Sequence, residues 1–193
     1  MLTGDLHIHS NHSDGKDSVK KILYVAIKKR LDVISITDHD TLNGSLEAME
    51  ILSDEHLPIK VIPGMELSTA QGHLLVYGLR REIEPGIDLI EAVKIVHELN
   101  GVTSLAHPFQ FYRHGAIKLR LFKIVDCIEV FNGRSLPFFN KLAEYFCDKF
   151  GKSKTAGSDA HRAESIQGVI LIEDDKDILQ AIKSGKTRVK KKI

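Results

Sequence analysis

Short β-rich runs alternate with amphipathic helical patterns along the whole of a 193-residue chain. That rhythm predicts an α/β fold with a largely parallel sheet. Strands are expected at residues 4–9, 32–37, 60–66, 73–78, 102–106, 127–131 and 154–157, with a further apolar run at 168–172. Helices are expected at 18–30, 42–53, 88–100, 136–150 and 175–184. Ser18 is placed to cap the helix that carries Ile22, Leu23, Ala26 and Ile27, and Asn100-Gly101 to stop the one that carries Ile90, Val93, Val96 and Leu99. Residues 113–123 fit neither pattern. Seven or eight strands with helices between them suit a closed, irregular α/β barrel, since a regular eightfold barrel needs about 250 residues. The alternative is an open doubly wound sheet, whose ligands also lie at the carboxyl ends of the strands.

Composition narrows the class. With 42% hydrophobic and 27% charged residues, and Lys+Arg 27 against Asp+Glu 26, the chain reads as one ordinary globular domain over residues 1–193. Its near-zero formal charge gives no overall sign of nucleic-acid binding. No apolar run approaches membrane-spanning length, and the amino terminus lacks the apolar core of a leader. A cytoplasmic setting without membrane contact is therefore expected. Cys127 and Cys147 sit in the apolar contexts DCIEVF and EYFCDKF, as buried free thiols do. Ten histidines are the one anomaly.

Most of them fall where predicted strands end. LHIHSNHSDG, SITDHD, IPGMELS, SLAHPF and TAGSDAH all follow or close a strand, so distant segments converge. His7 and His9 point to one face because side-chain direction along a strand has period two, and Asp159 and His161 repeat that spacing. Asp14, His39, Glu66 and His107 come from neighbouring strand ends, and His73 opens HLLVYGL as a ninth candidate. Any one of these alone would be an ordinary hydrogen-bonded histidine or carboxylate; the set points to metal. His56, His97 and His114 are read as loop, helix-surface and loop residues. His12 lies beside the cluster but loses register once the strand ends. Imidazoles and carboxylates without thiolate suit Zn²⁺, Mn²⁺ or Fe²⁺. Nine ligands fit two or three ions, with Glu66 placed to bridge. Three divalent ions outweigh the charges of Asp14, Glu66 and Asp159, so the site favours hydroxide and an anionic substrate, with phosphate esters the obvious class.

The motifs D-L-H-x-H-S with S-D-G, T-D-H-D, G-x-E, H-L-L, A-H-P and G-S-D-A-H occur in the order found in the PHP (polymerase and histidinol phosphatase) family, which the chain resembles from Asp5 to about Ile172. The resemblance implies a distorted seven-stranded (β/α)7 TIM-like barrel and three divalent ions. It implies His7, His9, Glu66 and Asp159 on the first ion, Glu66, His73 and His107 on the second, and Asp14, His39 and His161 on the third. Between His73 and His107 there is room for little more than one helix, so the roofing segment of larger relatives is not expected. Nothing in the chain suits a polymerase.

Arg134, in EVFNGR, resembles a phosphate-contacting arginine of stand-alone members, and a guanidinium after a strand end can grip two phosphate oxygens. The reading is then a phosphoesterase in which metal-activated hydroxide attacks a small phosphate ester or nucleotide. Asp38 and Asp40 are expected to orient ligands, and His12 to serve as general acid. Two rivals are hydrolysis at an amide or other carbon centre, and a noncatalytic metal-stabilised scaffold for a polymerase, nuclease or nucleic-acid partner. The tail KSGKTRVKKKI reads as a solvated basic end, since no aromatic residue accompanies it for base stacking. Oligomeric state has no signature in the sequence.

Overall fold

In a computed structural model, residues 1–173 and 177–190 are described, and these residues form ten strands and five α-helices. β1 (Leu2–Ile8) pairs in parallel with β2 (Val33–Ile36), and β2 with β3 (Lys60–Val61). On its other edge β1 takes β9 (Ile170–Ile172) antiparallel, and β9 takes β10 (Thr187–Val189) antiparallel. The second sheet runs β4 (Gly64–Thr69), β5 (Gly72–Tyr77), β6 (Val102–Leu105), β7 (Cys127–Asn132) and β8 (Ser153–Gly157). Its first two pairings are antiparallel and its last two parallel.

The helices follow their sequence signals. α1 (Val19–Lys28) starts at Ser18, whose side chain accepts from the Lys21 N–H, and buries Val19, Ile22, Leu23 and Ala26 against Ile8, Ile34 and Ile36. α2 spans Asn43–Glu55. α3 (Leu89–Glu98) is capped by Asp88 and ends before Asn100, which takes the left-handed backbone at φ 59. α4 (Pro137–Lys149) carries proline in its first turn, where the missing N–H costs nothing. α5 (Ile178–Lys183) is capped by Asp177; the expected start at 175 lies outside the described residues.

Three expectations are corrected. The strands form two five-stranded sheets with mixed pairing, and the sheets do not close into the seven-stranded (β/α)7 barrel. The expected strand at 60–66 is two strands in different sheets. Pro63 has no N–H to continue the ladder with β2, and Gly64 turns the chain where a Cβ would lie 2.4 Å from Ser35 Oγ. The basic tail is not all solvated end: Thr187–Val189 extends the first sheet, and Val189 packs against both neighbouring apolar clusters. Residues 191–193 lie outside the described residues. Within 113–123 the chain makes short 3₁₀ turns at Phe111–Arg113 and Leu121–Lys123.

Both sheets meet at one end of the molecule. Isolated parallel bridges join Ile8 to Ala160 and His39 to Glu66. The first seam is held by Asp159 N–H on His7 O at 2.8 Å and His9 N–H on Ala160 O at 2.9 Å, the second by Glu66 N–H on Asp38 O and Asp40 N–H on Glu66 O, both at 3.1 Å. Tyr77, fully buried, crosses between the sheets to donate to Leu6 O at 3.0 Å. Cys127 and Cys147 are buried and free, as expected. Burial pushes the Cys127 thiol far up and Cys147 up to about 12, so neither offers a thiolate near neutral pH. Among the described residues, no helix is long and apolar enough to cross a membrane.

Candidate metal centre

The two seams bring strand ends from both sheets together, and the nine sequence-predicted side chains gather there. His7 and His9 project from the end of β1 with their Nε2 atoms 3.1 Å apart. β8 ends on Gly157, where a Cβ would fall 2.1 Å from His7 Cβ, so only glycine lets the strand pass this close. Glu66, buried on β4, lies between two imidazole pairs. Its Oε2 is 3.0 Å from His7 Nε2 and 3.2 Å from His9 Nε2, and its Oε1 is 2.9 Å from His73 Nδ1 and 2.8 Å from His107 Nε2. Asp159 Oδ1 stands 3.5 Å from His9 Nε2 and 3.5 Å from His161 Nδ1. Asp14 reaches His161 Nε2 at 2.9 Å and His9 Nδ1 at 3.6 Å. His39 sits between Glu66 at 3.6 Å and Asp14 at 3.9 Å.

Electrostatics favour ionised carboxylates here. Burial alone would raise Glu66 and Asp159, but His7 and the other imidazoles, with Arg113 beside Asp159, hold both well below the usual carboxylate range. Burial disfavours a charged His7, yet Glu129, Glu66 and Asp159 raise its pKa well above that of a free imidazole. His39 and His161 are shifted down, chiefly by burial, and so stay neutral at physiological pH. His107 (φ 27) and Asp159 (φ 55) hold left-handed backbone, uncommon for residues with a Cβ and frequent at functional sites.

This arrangement suits divalent cations. His9 Nδ1, His107 Nδ1 and Asp159 Oδ1 are buried without a hydrogen-bond partner among the described residues, amid donors that are all imidazole or carboxylate. Three triads have ligand atoms within 4.8 Å of one another: His7, His9 and Glu66; His9, Asp14 and His161; and His39, Glu66 and His73. By distance, then, His39 groups with Glu66 and His73, and His9 with Asp14 and His161.

Four other residues of the site were not singled out from sequence. Glu129, fully buried on β7, accepts from His7 Nδ1 at 2.8 Å and from the His107 N–H at 2.7 Å, and Asn132 Nδ2 donates to it at 3.1 Å. This fixes the His7 tautomer so that Nε2 faces the cluster, and it anchors the strained His107 backbone. Arg113 donates to Asp159 Oδ2, which also accepts from Asn132 Nδ2 at 2.9 Å. His114 is more than a loop residue: it stacks on His73 with centroids 5.6 Å apart and lines the cleft. A hint was available for Glu129 alone, a carboxylate within the apolar run CIEVF. His56 and His97 stand apart, His97 on Asp126 at 2.8 Å.

Arg134 lies on the rim, with Nη1 3.0 Å from the His161 ring nitrogens and 3.6 Å from Asp159 Oδ1, and lines the same cleft of about 220 Å³. His12 is held by Glu47 on α2, outside the nine-residue group. The side chains of Asp38 and Asp40 bond to residues outside the nine: Asp38 accepts from the Ser10 N–H at 2.7 Å and from the Ser10 and Ser13 hydroxyls, and Asp40 accepts from the Ser68 N–H at 2.6 Å.

Glu129→Gln is expected to weaken metal binding about 10- to 100-fold, the usual cost of losing a carboxylate that orients a ligand imidazole. Three donors converge on Glu129, so a glutamine must aim its own NH₂ at one of them. Competition with a chromophoric chelator measures this; unchanged affinity would leave Glu129 a core residue only.

The PHP domain model matches residues 5–154, and a PHP-associated model matches residues 137–187. An uncharacterized protein of Methanocaldococcus jannaschii, MJ1587, is 29% identical over 143 residues, 68% of this chain and 82% of that one. The 5′-3′ exoribonuclease Rnm of Escherichia coli is 38% identical over 65 residues, 34% of this chain but only 22% of the exoribonuclease. In fold, the chain is similar to a two-domain protein of Bacteroides vulgatus containing a predicted PHP-like metal-dependent phosphoesterase, with TM-score 0.80 and 20% identity; 98% of this chain is covered but 64% of that one.

Proposed function

The chain belongs to the PHP domain family, and from that membership and its histidine–carboxylate cluster we propose that it is a metal-dependent phosphoric ester hydrolase. Its substrate is a small phosphate ester or a nucleotide. The observation that carries the reading is Glu66, whose two oxygens face separate imidazole pairs as a bridging carboxylate must.

In this reading His7, His9, Glu66 and Asp159 would hold one divalent ion, Glu66, His73 and His107 a second, and Asp14, His39 and His161 a third, with His39 lying between Asp14 and Glu66. Zn²⁺, Mn²⁺ and Fe²⁺ all suit the donors. When bound, the ions supply Lewis acidity, drawing the pKa of water towards neutrality and offsetting phosphoryl charge. The protein's own groups do the rest. Glu129 keeps the proton of His7 on Nδ1, so that Nε2 remains a donor to metal. Arg113, held by Asp159, and Arg134, over His161, present two guanidiniums to the cleft. Both suit the equatorial oxygens of a phosphoryl group, which gathers charge during transfer. The three carboxylates among the nine ligand residues leave the loaded site cationic, matching an anionic ester better than a neutral amide.

A panel of phosphomonoesters and phosphodiesters, assayed on protein of measured metal content, tests the proposal; a panel without turnover at full occupancy would overturn it. Within it, Arg134→Ala is expected to lower kcat/KM on an active ester by about ten- to hundredfold, the loss of a charge-assisted contact worth roughly 1.5 to 3 kcal/mol. Bound metal should be unchanged, because a guanidinium does not ligate cations. Equal efficiencies at equal occupancy would make Arg134 a solvated loop residue.

A further inference from the structure

The mouth of the cleft carries a surface that hydrolysis of a small ester leaves unused. After His107 the chain doubles back through the 3₁₀ turn at Phe111–Arg113, leaving Phe111 72% and Tyr112 54% exposed. Arg113, the next residue, holds Asp159, and His114 stacks on His73. Opposite, the first turn of α4 presents Phe138 at 66% exposure, with Phe139 beside it. The four rings are continuous: Phe111 to Tyr112 at 5.5 Å, Tyr112 to Phe139 at 6.1 Å, and Phe139 to Phe138 at 5.6 Å. Gln110 fixes the two elements together, donating to the Ser135 hydroxyl and accepting from Tyr112 OH at 3.3 Å. A contiguous exposed aromatic surface of this kind marks a binding surface.

Its surroundings identify the occupant. Arg113, next in the chain to Tyr112, and Arg134 line the cleft together with its carboxylates. Beyond Arg134 and His161 the surface continues as a groove of about 400 Å³ lined by Lys16, Arg134, Arg162, Ser165 and Gln167. The cleft is therefore joined to the aromatic rings through Arg113 and to the cationic groove through Arg134 and His161, which line both. A second copy of the chain would use the rings but has no need of cations beyond the cleft. Single-stranded nucleic acid uses all three: a base stacks on exposed rings, and successive phosphates meet arginine and lysine.

We propose that Phe111, Tyr112, Phe138 and Phe139 form a base-stacking shelf, and that the substrate is single-stranded nucleic acid. Its base lies on the shelf, its adjoining phosphate enters the cleft between Arg113 and Arg134, and its backbone continues towards Lys16 and Arg162. The substrate class rests on the phosphoester reading above; the shelf as a binding surface does not.

The test uses the metal-loaded full chain and the double variant Tyr112→Ala/Phe138→Ala, whose rings are exposed and whose loss spares the core. Fluorescence anisotropy with a fluorescein-labelled deoxythymidine hexamer, and a uridine hexamer as the second arm, is expected to show affinity roughly 5- to 150-fold weaker in the variant. The ratio of kcat/KM on the unlabelled hexamers to that on glycerol phosphate should fall by a similar factor. If the wild type hydrolyses neither hexamer, nucleic acid as the substrate is overturned, while the anisotropy comparison still decides the shelf and the ester panel the phosphoesterase reading. Equal hexamer affinity in both proteins, or no binding by wild type, overturns the proposal. So does an equal fall on both substrates, which would place the rings in the support of the cleft. A wild-type dimer in sedimentation that the variant dissolves, with hexamer binding unchanged, would assign the shelf to self-association instead.

Discussion

Glu66→Gln is expected to lower kcat/KM by about 10²- to 10⁴-fold and to release metal. Removing one partner from a buried charged network costs roughly 3 to 5 kcal/mol, and each 1.4 kcal/mol is about tenfold. The substitution keeps the shape of the side chain and removes its charge. A glutamine offers one oxygen where Glu66 offers two, so either the His7–His9 pair or the His73–His107 pair then faces an NH₂. Wild-type stability depends on the same carboxylate, so folding is to be checked by circular dichroism alongside kinetics and elemental analysis. His12→Ala provides the contrast, because His12 pairs with Glu47 away from the cluster. It is expected to change efficiency only a few-fold, below the 10² to 10⁴ of a lost general acid. Near-wild-type turnover and metal content in the Glu66 variant would remove its bridging role, and a large loss in His12→Ala would restore the histidine as an acid.

How much of this was legible in the chain follows from what each feature depends on. The convergence of His7, His9, His39, Glu66, His107, Asp159 and His161 is visible because strand ends in α/β folds lie on one side and side-chain direction alternates. Glu129 carried only the hint of a carboxylate inside the apolar run CIEVF, and a carboxylate in a strand looks the same in sequence whether its face is solvent or site. Only the tertiary placement of His7 and the His107 N–H reveals what it does. Arg113 and His114 lay in a stretch without periodicity, where 3₁₀ turns leave no pattern to find. Pro63-Gly64 and Gly72 did carry signals, a break and a turn, that separate β3 from β4 and join β4 to β5 as an antiparallel pair. Whether strands close into a barrel depends on long-range register, and here the strand-to-strand pairing between the sheets is limited, among the described residues, to isolated bridges beside Ile8 and Glu66. β10 was missed for a simpler reason: three residues, Thr187–Val189, are too few for an alternation to stand out among lysines.

Those isolated bridges tie the fold to the chemistry. Neither seam is a long ladder, so what joins the sheets at the functional end is largely the set of side chains itself. Glu66 from the second sheet meets His7 and His9 from the first, and Glu129 from the second meets His7 again. Without cations these contacts depend on imidazoles supplying positive charge. His7 does so, its pKa raised by Glu129, Glu66 and Asp159 against the effect of burial. His39 and His161, shifted down, do not. The seam thus sets four carboxylates, Asp14, Glu66, Glu129 and Asp159, against His7, Arg113 and Arg134 as its positive groups.

Removing metal is therefore expected to abolish ester hydrolysis and to lower the melting temperature, both restored by adding Mn²⁺ or Zn²⁺ back. Ions that bind the native state and not the unfolded chain stabilise it by about 4 kcal/mol at a thousandfold excess over Kd. For a chain of this size each kcal/mol is worth roughly 2 to 4 °C, so the fall should be on the order of 10 °C. The sign with pH follows from His7: a proton held by the raised pKa must leave before Nε2 can bind metal, so affinity should weaken as pH falls and strengthen as it rises. Titration calorimetry in two buffers of different ionisation enthalpy reads that proton release directly. Stoichiometry decides the number of ions. The three compact triads together use seven residues, His7, His9, Asp14, His39, Glu66, His73 and His161, more ligands than one coordination sphere takes, so elemental analysis after add-back should saturate above one ion per chain. Saturation at one ion would end the multinuclear reading, and saturation at none, with a melting temperature indifferent to chelation, would leave the cluster a hydrogen-bonded seam.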